Sequence, residues 1–252
     1  MRATTELEVF DADVATVEQS TRVHVQGKDL HLSLLLREEE LAPLFSGAAW
    51  AGTLLWDAAV YLARHFLVKY KTQLDDPANT LRVIELGAGI GVPGMAARVG
   101  GANHVIITEQ DDLLELMHRN LSSNMEVLRL TEVDENASSD AIVARPLSWG
   151  VKETNEYLAA HPNEPIDVIL SCDCIYEPLY GQSWRALAQT MEMLCQQNPK
   201  ALVIMGVERR NQDGIDKFLA FVDAETRLSW KLMVETVGTK DNRIELYYLT
   251  LA

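Results

Sequence analysis

From Thr80 to the C-terminus the chain alternates short apolar runs with stretches of helical period, and this alternation constrains its fold more than any other feature. The runs "LRVIEL" (81–86), "HVIIT" (104–108), "AIVAR" (141–145), "IDVILSCD" (166–173) and "ALVIMGV" (201–207) are continuously apolar, as strands covered on both faces are. Segments of helical period over 92–99, 111–124, 181–197 and 212–226 lie between and after them. Helical crossovers bring successive strands back parallel. The last two runs, "SWKLMVETV" (229–237) and "RIELYYLTL" (243–251), are joined only by "GTKDN", too short a link for a crossover, so they should pair antiparallel. The expected fold is therefore α/β: a Rossmann-like, mostly parallel seven-stranded sheet with helices on both faces and an antiparallel terminal strand.

Upstream, "LEVFDAD", "TRVHVQG" and "LHLSLLL" read as short strands or a hairpin, which predicts a β extension over 1–44 ahead of a main domain over 45–252. The glycine-rich joint "FSGAAWAGTLLW" (45–56) precedes "DAAVYLARHFLVKY" (57–70), whose apolar residues recur at helical spacing. "TEVDENASSD" (131–140) reads as an acidic loop, and 148–165 as an insertion on the side where open α/β sheets bind ligands. With 252 residues, 48% of them hydrophobic, the chain can bury a full core. It has no long apolar window and no leader-like start, which sets the expectation of a soluble cytoplasmic protein, with the nucleus as a second compartment, and no membrane partner. A net charge of -15 repels phosphate backbones, so nucleic acid is not an expected partner, whereas a basic protein surface is.

Four glycines, Gly87, Gly89, Gly91 and Gly94, fall in eight positions of "VIELGAGIGVPG" (83–94), between a strand and a helix. In that context the loop is a ligand candidate: for a dinucleotide pyrophosphate, for a nucleoside with a charged tail, or for nothing beyond its own tight turn. "GIGVPG" (89–94) fits the dinucleotide spacing, but the loop starts two residues earlier, and Glu85 beneath it suits a cationic amine better than a diphosphate. Glu109 closes the next strand, where an acid can accept from both hydroxyls of a ribose; "TEQDD" reads equally as a helix start. Trp149, in "SWG" past the third strand, offers a wall for an adenine ring. In "SCDCIYEPLYG" (171–181), Asp173 and Tyr176 put an acid and a phenol at the end of the fourth strand, with a capped loop and a packed phenol as the plainer alternative. Cys172 and Cys174, two apart in the same strand, should share a face; with no histidine near them in sequence, no metal site is expected.

Together "GTLLW", "VIELGAGIGVPG", "ITEQDDLLELMHRNLSSN", "LSWG", "VILSCDCIYEPLYGQSWRALAQTM" and "ERRNQDGIDKFL" resemble the seven-stranded S-adenosylmethionine-dependent protein methyltransferases of the cytosolic lysine-methylating family, over about residues 45–251. The resemblance implies S-adenosyl-L-methionine as cofactor and methyl transfer to a lysine of a protein substrate, a translation elongation factor or a molecular chaperone; the chain itself is expected to be a monomer. It implies that Trp56 packs over the cofactor, that Gly87, Ala88 and Gly89 line its methionine and ribose part, and that Glu109 holds the ribose. Trp149 would border adenine and Cys172 the cofactor wall, while Asp173 and Tyr176 would stand as the family's Asp-x-x-Tyr pair at the lysine entrance. Two positions depart from the usual pattern: Glu109 replaces aspartate and Cys172 replaces alanine. Asp173 would orient the incoming ammonium, Tyr176 would flank it, and desolvation would favour the neutral amine that attacks. The rival readings are methylation of an arginine, a histidine or a small amine, and a catalytically silent binding module. An NAD-dependent oxidoreductase is a third rival, for which no second half for nicotinamide and substrate is recognisable in the sequence.

Overall fold

The structure, a computed structural model, describes residues 7–10, 20–35, 49–131, 141–162 and 164–252. Seven strands form the main sheet: β4 (Arg82–Leu86), β5 (His104–Glu109), β6 (Ile142–Pro146), β7 (Val168–Cys172), β8 (Leu202–Glu208), β9 (Leu228–Val237) and β10 (Arg243–Leu251). Their order across the sheet is β6-β5-β4-β7-β8-β10-β9. The first five are parallel, and β10 enters between β8 and β9, antiparallel to both. The order reverses between β4 and β7, which opens a crevice beyond the carboxyl ends of those two strands.

The continuous apolar runs have a direct cause. Alternate residues enter two separate cores: Val83, Val105, Ile107 and Val168 on one face, Ile84, Ile106, Val143 and Ile169 on the other. Helices α1 (Asp57–Lys69), α2 (Val92–Gly100) and α3 (Asp111–Ser123) cover the first face. The second is covered by α4 (Val151–Ala160), α5 (Trp184–Gln197) and α6 (Ile215–Glu225). Helix α4 occupies the segment expected as an insertion. Only Thr154 and Tyr157 of its ten residues are buried, so it carries almost no apolar period to reveal it.

The N-terminal extension is a three-stranded antiparallel sheet, β1 (Leu7–Phe10), β2 (Ser20–Val25) and β3 (Lys28–Ser33), in which β2 and β3 form the expected hairpin. Its two-residue turn puts both Gln26 (φ 49°) and Gly27 (φ 80°) in the left-handed region, the arrangement that matches strand twist. Val23, Val25, Leu30 and Leu32 are fully buried in the same core as α1, α2 and α3. Asparagines four apart on α3 complete the junction. Asn120 accepts from Ser33 N at 2.7 Å and Asn124 from His31 N at 2.8 Å, and each side-chain amide donates back to the same residue's carbonyl. Two side chains thus satisfy the strand's backbone groups as a further strand would.

The fourth strand ends at Cys172, one residue short of the expected span, because Asp173 turns the chain with φ 53°. Cys172 and Cys174 therefore do not share a strand face, contrary to the sequence expectation: Cys174 lies past the turn, its thiol directed at Leu86 O, 3.3 Å away. All three cysteines are free thiols. The acidic stretch of 131–140, apart from Thr131, lies outside the described residues. Among the described residues no helix is long and apolar enough to cross a membrane, and no cluster of histidine, cysteine and carboxylate is placed to hold a metal ion.

Candidate active site

A cavity of about 530 Å³ fills the crevice at the reversal point of the sheet. Trp56, Glu85, Gly87, Ala88 and Gly89 line it, joined by Glu109, Trp149, Cys172 and Asp173. Every residue marked in the sequence for the cofactor is thus in one place, with Asp173 beside them. Tyr176 is not on the lining. Its ring lies 5.6 Å from the guanidinium of Arg210, one layer behind. Leu113, Leu147 and Tyr180 also line the cavity, without a sequence signal that separates them from ordinary core residues.

The glycine loop follows β4 and leads into α2. Gly87 (φ 63°) and Gly89 (φ 55°) take conformations that favour glycine, and there is no room for more. A Cβ on Gly89 would come within 2.7 Å of Gly52 O, and one on Gly87 within 2.6 Å of Cys174 Sγ and 2.8 Å of Trp149. The loop is therefore wedged against the 3-10 turn Ala49–Thr53 on one side and the β7 exit on the other. Glu109 fastens it: one carboxylate oxygen accepts from Gly89 N at 3.0 Å, the other from Gln110 N at 2.9 Å. The two readings of Glu109, cavity acid and helix start, both describe what it does, since Gln110 is the N-cap of α3.

Glu85 stands under the loop, 1% exposed. Its Oε2 accepts from Gly94 N at 2.7 Å, while its Oε1 has no partner. Burial, opposed by the Gly94 amide, pushes its carboxyl up to about 8. A buried carboxylate oxygen on a cavity wall with no donor facing it is the feature a cationic amine would satisfy. S-adenosylmethionine carries such an amine, and Glu109 at the end of β5 adds a second acid of the kind that accepts from ribose hydroxyls, so the residues present fit this group.

The other wall is built of charge. Asp173 Oδ1 accepts from Glu208 N at 2.9 Å. Arg210 grips the same carboxylate with both terminal nitrogens, at 3.2 and 2.7 Å, and reaches Glu208 Oε2 at 2.5 Å. Its guanidinium also lies 5.1 Å from the Trp56 ring, whose indole N–H is committed to Ala51 O at 2.8 Å. Burial holds the Asp173 carboxyl above the usual aspartate value in spite of Arg210. Nothing in the sequence sets Arg210 apart from the arginine before it. The signal lies in "ERR" at the end of a strand adjacent to the Asp173 strand, and it becomes readable only once β7 and β8 are known to be neighbours.

A glycine loop at the switch point of this strand order, an acid beneath it and a second acid closing the next strand define an S-adenosylmethionine-dependent methyltransferase. The chain belongs to the lysine methyltransferase family, whose pattern it matches over residues 44–225. The chain is an enzyme of that class, with S-adenosylmethionine as its cofactor and a protein lysine as its acceptor. It is 62% identical over 161 residues, 64% of this chain and 80% of the relative, to Secreted RxLR effector protein 48 of Plasmopara viticola. It is 31% identical over 224 residues, 82% of this chain and 79% of the relative, to Protein N-terminal and lysine N-methyltransferase EFM7 of Candida glabrata. Among solved structures, P. horikoshii TYW2 in complex with MeSAdo superposes with a TM-score of 0.51 over 93% of this chain and 73% of that one. At 13% identity that likeness speaks to the fold alone.

Proposed function

We propose that Asp173 receives the acceptor amine, that Tyr176 supports it, and that the glycine-loop wall, with Trp56, Glu85, Gly87, Ala88, Gly89, Glu109, Trp149 and Cys172, holds the cofactor. The observation that carries this reading is that Asp173 is the one member of the Asp173–Glu208–Arg210 cluster on the cavity lining. Bound S-adenosylmethionine supplies an already activated methyl group, so the chain needs no covalent chemistry of its own. A lysine arrives protonated and must shed a proton before it can attack. Asp173 receives the ammonium by an N–H, the proton passes to water after docking, and the neutral amine stays aligned.

The acceptor protein is proposed to present a basic surface, complementary to the net charge of -15, and to be an elongation factor or a chaperone, as the family resemblance implies. The name of the Candida relative adds a protein N-terminal amine as a second acceptor of the same chemistry. The division into an extension over 1–44 and a catalytic domain over 45–252, the monomeric state and a cytoplasmic or nuclear location belong to the same proposal. The name of the Plasmopara relative, a secreted effector, makes location an experimental question, which fractionation of cells expressing the full chain decides. The substrate is tested by incubating the protein with labelled S-adenosylmethionine and a cytosolic extract, then locating the label by mass spectrometry. Label on a lysine ε-amine or an N-terminal amine is expected; label on arginine, histidine or a small amine would overturn the reading.

A further inference from the structure

Asp173 and Glu208 are two carboxylates with side chains only 4% and 3% exposed, and they share one guanidinium. Buried acids this close cannot both remain ionised without a cation between them. Arg210 supplies it from the segment after β8, and the rings of Trp56 and Tyr176 at 5.1 and 5.6 Å keep the guanidinium in place. A carboxylate has four acceptor positions. On Asp173, Glu208 N and Arg210 Nη1 take the two of Oδ1, and Arg210 Nη2 takes one of Oδ2. One is left, on Oδ2.

We propose that Arg210 is a positioning residue for methyl transfer: together with the Glu208 amide it fills three acceptor positions of Asp173 and leaves one for the acceptor's ammonium. The inference rests on the reading that Asp173 receives that amine. The charges agree with it, because two carboxylates and one guanidinium leave a single negative charge for an entering cation to balance. The other titratable groups around Asp173 do not alter this balance. Cys172, Cys174 and Tyr180 are held neutral by burial, Glu85 bonds to the glycine loop from β4, Asp213, which accepts from Arg210 N, is paired with Arg209, and the Lys240 ammonium lies against Trp56, 5.8 Å from its ring. The arrangement also accounts for Tyr176. Its ring acts on the acceptor wall through Arg210, from a position off the cavity lining.

The test compares Arg210→Gln, Arg210→Lys and Asp173→Asn in the full chain, with labelled S-adenosylmethionine and cytosolic extract as the source of acceptor. The guanidinium lowers the Asp173 carboxyl and gives it two of its three donors; without it Asp173 holds a proton more readily and its free position is no longer oriented, so Arg210→Gln should lose methyl transfer by about a hundredfold near neutral pH. The loss should shrink as pH rises and on addition of guanidinium ion at tens of millimolar. S-adenosylhomocysteine affinity, read by calorimetry, should stay within a few-fold. Arg210→Lys, a point charge without the fork, should fall between the two. If Arg210→Gln keeps the wild-type rate and pH profile while Asp173→Asn is inactive, the positioning role is wrong and the reading of Asp173 stands. If Asp173→Asn is also as active as wild type, that reading itself is wrong. Parallel loss of rate, cofactor affinity and thermal midpoint in Arg210→Gln, with no recovery by pH or guanidinium, would reduce Arg210 to a brace and overturn the proposal.

Discussion

On one wall of the cavity, Gly87, Ala88 and Gly89 come from a single strand-to-helix joint, and the acids beside them bond to backbone amides of Gly89, Gly94 and Gln110. Beside it, Asp173 lines the cavity with Glu208 and Arg210 behind it; the three come from the ends of two neighbouring strands and bond to one another through side chains. The first wall is fixed by sterics: its shape follows from where no Cβ fits and which amides need an acceptor. The second is fixed by electrostatics, in a place where burial makes each charge depend on its partner. The two should fail differently. Damage to the glycine wall should appear as lost cofactor affinity or lost stability, and damage to the charged wall as lost rate with a changed pH profile.

The largest effect is expected on the charged wall. Asp173→Asn keeps the shape of the side chain but removes the charge proposed to orient the amine, so transfer should fall by about a thousandfold, a loss confined to the aligned state. Steady-state rates at saturating S-adenosylmethionine check it, and a loss under about tenfold would mean that the ion pair serves the loop more than the reaction. Next comes Glu109. Glu109→Ala removes the acceptor for two backbone amides as well as the proposed ribose contact, with charge-assisted bonds of roughly 1.5–3 kcal/mol each. Affinity for S-adenosylhomocysteine should drop at least about tenfold by calorimetry; an unchanged value would leave Glu109 as the starter of α3 alone.

A smaller effect is expected from crowding. Gly89→Ala forces a side chain against Gly52 O from a left-handed backbone, which should lower stability by about 1–3 kcal/mol. Chemical denaturation measures it, and a neutral result would show that the Ala49–Thr53 turn gives way easily. The smallest effect is a proton. Because the folded protein holds the Glu85 carboxyl up to about 8, Glu85 keeps a proton that the unfolded chain releases, and its contribution to stability falls as pH rises from the ordinary glutamate value of 4.5 to about 8. A cofactor amine that pairs with Glu85 needs the ionised form. Near neutral pH, binding of S-adenosylhomocysteine should therefore release about one proton, seen as a buffer-dependent heat, and Glu85→Gln should abolish the release. Equal release in both proteins would move the amine elsewhere.

The difference between the walls also explains what the sequence can disclose. The glycine wall is contiguous, so "VIELGAGIGVPG" and the acid of the next strand can be read as one ligand site from the order of residues alone. The same holds for the main strands, whose apolar runs are continuous because both cores take alternate residues. Helix α4 gives no such signal, because it buries one short stripe and little else. Asp173 is legible as a site residue, but its partner lies 37 residues away, and only the register of β7 against β8 brings the two together. The turn at Asp173 is equally hidden. A left-handed aspartate held by bonds from Glu208 N and Arg210, 35 and 37 residues on, is announced by no local pattern.

The separation of the two walls is tested most directly by one paired measurement on wild type, Glu109→Ala and Asp173→Asn: calorimetric affinity for S-adenosylhomocysteine and the transfer rate at saturating S-adenosylmethionine, from the same preparations. Glu109→Ala should lose affinity and keep most of its rate once saturated, while Asp173→Asn should keep affinity and lose its rate. If each variant loses both quantities in the same proportion, the cavity has a single cooperative wall and the division into two is wrong.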